Sequence, residues 1–196
     1  METKTQKIFK ALKLLLYCCM VSVIFRMCFS SIAIFSASVN LKKFNGIIGW
    51  PLSGIGIAET VVFILWIYYL FDELQKKTNF RPFTPGSAVV MLVVPVYHWW
   101  GLWRVFSVLA QFLKIENGGA ALKQLVQMII IIDVTTMILA INFTAVLEMD
   151  IRSNIYLTVG FSIASLVMYI LKLSIIGIVH NSMNQTSGEQ EESDIP

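Results

Sequence analysis

Long apolar runs separated by short polar stretches are the feature that most limits how this chain can fold. Five such segments can be marked, at 14–39, 47–71, 86–113, 124–147 and 154–180. Crossing a hydrocarbon layer about 30 Å thick takes about 20 apolar residues of helix, so each segment is long enough to cross with some tilt. Backbone groups in lipid must be bonded within the protein, which leaves helices or a closed barrel, and none of the runs alternates with the period of two that a barrel strand needs. The connecting stretches, "NLKKFNG", "DELQKKTNFRP", "KIENGGAALK" and "EMDIRS", are short enough to force antiparallel neighbours. The expected fold is therefore all-α, a polytopic transmembrane helix bundle of five hydrophobic segments with the third kinked or re-entrant.

Composition agrees. Apolar residues make up 57% of the 196 residues, against about 45–50% in an average soluble domain, and mean hydropathy is +0.73. Little is left for a soluble domain, and the lipid bilayer is the implied partner. Net charge is only +3, with the basic residues spread over the N-terminus and loops, which argues against a nucleic-acid partner. Cys18, Cys19 and Cys28 all lie in the first segment, where no second element offers a pairing partner, so they read as reduced packing residues.

The layout divides into a basic cytoplasmic N-terminus at 1–13, a transmembrane bundle at 14–180 and an acidic, disordered tail at 181–196. Lys4, Lys7, Lys10 and Lys13 precede an apolar run too long for a cleaved signal, so the first segment reads as a retained signal anchor. With five crossings and the N-terminus inside, Lys4, Lys7, Lys10, Lys13, Lys76, Lys77, Arg81 and Arg152 fall inside, against Lys42, Lys43, Lys114 and Lys123 outside. That excess favours a cytoplasmic N-terminus.

The third segment, "RPFTPGSAVVMLVVPVYHWWGLWR", departs from a plain anchor. Thr84 suits an N-cap, Pro85 the first helical turn, and Gly86 a close approach. Pro95 removes a backbone donor and Gly101 loosens the helix beyond it, so a kinked crossing is expected, with a re-entrant hairpin of two half-helices as the alternative. Glycine or serine paired with small residues at four-residue spacing, Gly49 with Ser53, Gly54 with Ala58 and Gly160 with Ala164, marks weak helix-packing faces.

Ionisable side chains inside the segments cost on the order of 2.5–3.5 kcal/mol each, so each must be paired, hydrated or used. They are Arg26, Glu59, His98, Arg104, Asp133 and Lys172. Matching depths in antiparallel neighbours predict two ion pairs, Arg26 with Glu59 and Asp133 with Lys172, acting as interhelical ties or as a proton or ion relay. His98 and Arg104 have no assigned acid. Either they face a shared cavity, or His98 bonds a carbonyl freed near Pro95 while Arg104 reaches for the headgroups. His98, Trp99, Trp100, Trp103 and Arg104 are the candidate ligand- or partner-binding residues, with Tyr97 and the tryptophans as packing aromatics or a cavity wall.

No metalloprotease, phosphate-loop or serine-hydrolase motif is present, and no cysteine pair has metal spacing, so no catalytic residue, metal or cofactor is expected. Two roles compete. The first is an assembly or accessory subunit that docks a lipid, another membrane protein or a further copy through the third segment. The second is an oligomeric transporter or channel-like protein that uses the buried charges.

From Thr84 to Lys114 the wording resembles an uncharacterised, domain-of-unknown-function family of bacterial multi-pass membrane proteins. Its shared segment reads T-P-G-x-A-V, then a second proline ten residues after the first, then an asparagine, aromatics and a Leu-Ala pair. Thr84, Pro85, Gly86, Ala88, Val89, Pro95, Trp100, Leu109 and Ala110 match, while His98 stands where that family usually has asparagine. The resemblance implies a bacterial inner-membrane location and no activity.

Overall fold

Six helices are present among the described residues: α1 (Lys4–Phe35), α2 (Leu41–Thr78), α3 (Pro85–Val93), α4 (His98–Phe112), α5 (Gly118–Ala145) and α6 (Ile151–Ser193). The structure, a computed structural model, describes the backbone of 4–35, 41–78, 83–94, 97–112, 118–145 and 151–193, and side chains within 4–28, 54–76, 83–94, 97–111, 119–140 and 159–183. No strand occurs among these residues.

Among the described residues four helices are long and apolar enough to cross a membrane, over Lys4–Cys28, Gly54–Lys76, Gly119–Ala140 and Val159–Met183. They correspond to segments one, two, four and five. The third segment differs from a kinked crossing: it is two helices, α3 and α4, folded against each other. Residues 91 and 101 of one continuous helix would lie about 15 Å apart. Here a Cβ placed on Gly101 would run into the Met91 carbonyl oxygen. The chain reverses between them, which makes α3 and α4 a helical hairpin.

Local chemistry explains the reversal. Thr84 caps α3, its Oγ1 accepting from the Ser87 amide at 3.2 Å, with Pro85 at the first turn. Val94 leaves the helix with an extended backbone, φ −74° and ψ 117°, as the residue before a proline is sterically pushed to do. Pro95 itself lies outside the described residues. The Tyr97 amide then donates to the Val94 carbonyl at 3.0 Å, and α4 begins. Gln75 of α2 ties down the start of the hairpin, its amide nitrogen donating to the Phe83 carbonyl at 2.5 Å.

The helices pack in a closed circuit: α1 on α2, α2 on α3, α3 on α4, α4 on α5, α5 on α6, and α6 back on α1. Inward residues recur at helical spacing, such as Leu102, Val105, Phe106 and Leu109 on α4 and Trp66, Leu70 and Leu74 on α2, all buried. Outward residues are equally apolar: Leu14, Val21, Ile57 and Ile131 are each more than 60% exposed. A surface of that kind suits lipid contact, not water.

Several expectations change. The basic stretch 1–13 is helical from Lys4, where α1 begins. Near that end Lys4 stands over the Tyr69 ring at 5.9 Å, Thr5 donates to the Tyr69 carbonyl at 3.4 Å, and Phe9 stacks on His180 at 3.9 Å. The tail expected to be disordered from 181 continues as helix to Ser193, in keeping with the helix-forming Gln and Glu in it. Cys19 is buried, but Cys18 and Cys28 are exposed and do not pack as expected.

The close approach expected at Gly86, Gly54 and Gly160 is absent, since a Cβ at any of the three would meet nothing within 4 Å. Gly49 and Ser53 are described in backbone only. Among the described glycines, Gly101 is where an added Cβ would run into the backbone of a neighbouring helix. A side chain there must displace backbone, so Gly101→Ala is expected to cost about 1–3 kcal/mol, the range for overpacking. Gly54→Ala and Gly160→Ala should be neutral or stabilising by up to about 1 kcal/mol. Detergent-solubilised thermal melts of the three variants check this order.

Candidate functional site

The hairpin carries the start of α4 into the bundle, and a cavity of about 180 Å³ opens there between α2, α4, α5 and α6. His98, Trp99, Leu102 and Phe106 line it from α4, Thr60 and Phe63 from α2, Ile129, Ile130 and Asp133 from α5, and Met168, Lys172 and Ile175 from α6. Most of the wall is apolar. The polar groups are few and converge, the usual composition of a small-molecule site.

Each polar group has a definite bond. Trp99 Nε1 donates to Asp133 Oδ2 at 2.8 Å, joining the hairpin to α5. His98 Nδ1 is 2.6 Å from the Leu92 carbonyl. A carbonyl only accepts, so Nδ1 carries the proton, and Nε2 is the ring's remaining polar atom. This is the bond to a freed carbonyl that the sequence offered as one alternative for His98.

The ion pairing differs from the expectation. Lys172 Nζ donates to both oxygens of Glu59, at 3.1 and 3.3 Å, tying α6 to α2. The pairs expected from depth, Arg26 with Glu59 and Asp133 with Lys172, do not form. Arg26 is exposed on α1. Glu59 faces inward and is 2% exposed, while Arg26 faces outward. Asp133 takes the indole of Trp99 in place of an ammonium. Beside the pair, Lys172 Nζ also stands over the Phe63 and Tyr169 rings, at 5.9 and 5.8 Å from their centres.

The five candidate residues of the third segment divide between two faces. His98 and Trp99 turn into the cavity. Trp103 is half-buried against the core. Trp100 and Arg104 are exposed on the other side, the guanidinium 4.8 Å from the Trp100 ring centre and 5.4 Å from that of Phe83. Among the described residues no three His, Cys, Asp or Glu side chains converge as metal ligands.

Thr60, Phe63, Phe106 and Tyr169 were not singled out from sequence. The signal available was helical spacing from residues that were: Phe63 is one turn from Glu59, Phe106 two turns from Trp99, and Tyr169 one turn from Lys172.

Comparison with protein-family models, with curated proteins and with solved structures finds no match to this chain.

Removing one partner of a buried ion pair leaves the other charge uncompensated, at a cost of about 3–5 kcal/mol. Lys172→Met is therefore expected to destabilise the bundle by about 3 kcal/mol, whereas the double variant Glu59→Gln, Lys172→Met, which leaves no orphan charge, should lose clearly less. Equilibrium unfolding by sodium dodecyl sulfate in mixed micelles measures both.

Proposed function

We propose that this protein is a four-span integral membrane protein in which α3 and α4 form a re-entrant hairpin that completes a small-solute site at mid-depth, serving a carrier or channel-like role. The observation that carries the reading is the inward turn of His98 and Trp99 onto a cavity shared with Asp133 and Lys172. Irregular backbone at membrane depth is tolerated where it is buried in protein or lines a cavity, and broken helices of this kind hold the substrates of transporters.

In this topology both ends of the chain and both ends of the hairpin share one face. Lys4, Lys7, Lys10, Lys13, Lys76, Lys77, Arg81, Lys114 and Lys123 then lie on that face or near it, with Lys42, Lys43 and Arg152 opposite. The excess supports a cytoplasmic placement of both termini. The T-P-G-x-A-V likeness supports a bacterial inner membrane.

A second reading, the accessory subunit that docks a lipid or another membrane protein, is supported by the outward face of α4. Tyr97 and Trp100 are about half exposed there, beside Arg104.

Two measurements test the proposal. Reporter fusions after Asn117 and after Pro196 should both report the side of the N-terminus, whereas five crossings would put both opposite. Protein alone in liposomes should show a solute or ion flux lost on Asp133→Asn and kept on Arg104→Ala. Silent liposomes, together with a copurified partner released by Trp100→Ala or Arg104→Ala, would select the second reading.

A further inference from the structure

We infer that the occupant of the cavity is a small organic monocation, its ammonium on Asp133 and its apolar body against the rings and aliphatic side chains of the wall. The inference rests on the solute-site reading above. It starts from the charges that face the cavity. Lys172 is already matched by both oxygens of Glu59, so that pair is neutral in itself. Asp133 receives one neutral donor, the Trp99 indole, on Oδ2. His98 has its Nδ1 proton on the Leu92 carbonyl. The other cations of the segments do not reach in: Arg104 lies over Trp100 and Phe83, and Arg26 is exposed on α1. One carboxylate is thus left without a matching positive charge, at a depth where unmatched charge is costly.

The wall decides which cation. Its oxygen donors are sparse: apart from Asp133, Thr60 offers a hydroxyl whose proton is held by the Gly56 carbonyl at 3.0 Å. A small metal cation wants six or more oxygens and gives up water reluctantly. An alkylammonium needs fewer, and the faces of Phe63, Trp99 and Phe106 attract it. A cavity of about 150 Å³ lined by hydrocarbon holds a benzene-sized molecule, and the 180 Å³ here sets a similar limit. Carboxylates meet Asp133 unfavourably, and a zwitterion leaves the site with the same net charge as before.

The test is calorimetric titration of the full chain in nanodiscs with n-butylammonium, and with butyrate, 1-butanol and γ-aminobutyrate as anionic, neutral and zwitterionic probes of similar length. Butylammonium is expected to bind at least tenfold more tightly than the other three. Asp133→Asn, which keeps an acceptor for Trp99, should abolish that preference, and Asp133→Glu should keep it. Circular dichroism and thermal melts establish that each variant is folded, and Trp99→Phe with Asp133 intact should retain the preference if the carboxylate is its source. Tighter binding of butyrate, butanol or the zwitterion would overturn the cation assignment while leaving the solute site standing. Binding of none of the four would overturn both. Potassium chloride displacing butylammonium at equal concentration would overturn the assignment to an organic cation.

Discussion

Hydrocarbon solvates neither charge nor free backbone groups, and the arrangement of this protein follows from where it satisfies them. Glu59 and Lys172 come from helices that are separated in the circuit by α1, so their bond closes the bundle across its interior. In a bilayer, apolar contact gives little drive for helices to associate, because lipid tails are as apolar as leucine side chains. Polar contacts between particular helices therefore specify the arrangement: Glu59 with Lys172 for α2 and α6, Trp99 with Asp133 for α4 and α5, and Thr5 with the Tyr69 backbone for α1 and α2.

The hairpin depends on the same constraint. A helix that stops inside the bundle exposes carbonyls at its C-terminus, and these need donors. His98 supplies one to Leu92, and the turn amides of Val94 and Tyr97 use further groups. Gly101 allows α4 to lie against the backbone of α3, so the returning helix is held by protein on its inner side. The break then presents Trp99 to Asp133 and gives the cavity its fourth wall. Site and fold are one construction here, since straightening α3 and α4 would remove both the cavity and the partner of Asp133.

Sequence carried the class of the fold well. Hydropathy located the four long apolar helices, because a length requirement of about 20 residues is easily read from a run. It could not count crossings in the third segment, since a kinked span and a hairpin have the same composition. Gly101 held the deciding information, but a glycine in a helix reads equally as loosening or as contact until its neighbour is known. The ion pairs failed for a related reason. Asp133 and Lys172 do face one cavity, but Trp99 and Glu59 take them, and the outward turn of Arg26 had no amphipathic signature because inward and outward faces are both apolar. Leu14 at 65% exposed and Leu16 fully buried sit two residues apart on α1 with the same side chain. His98, Trp99, Asp133, Lys172 and Glu59 were each recognised as unusual, and it was the partners that required the fold.

The central claim is that the third segment reverses inside the bundle. Spin labels at Gly86→Cys and Gln111→Cys, with Cys18, Cys19 and Cys28 replaced by alanine, place one probe near the start of α3 and the other near the end of α4. Pulsed electron resonance in nanodiscs should give a distance below about 20 Å, as expected for two packed helices whose ends lie on one face. A continuous or merely kinked crossing would put the labels about 35–40 Å apart, and that distance would contradict the account.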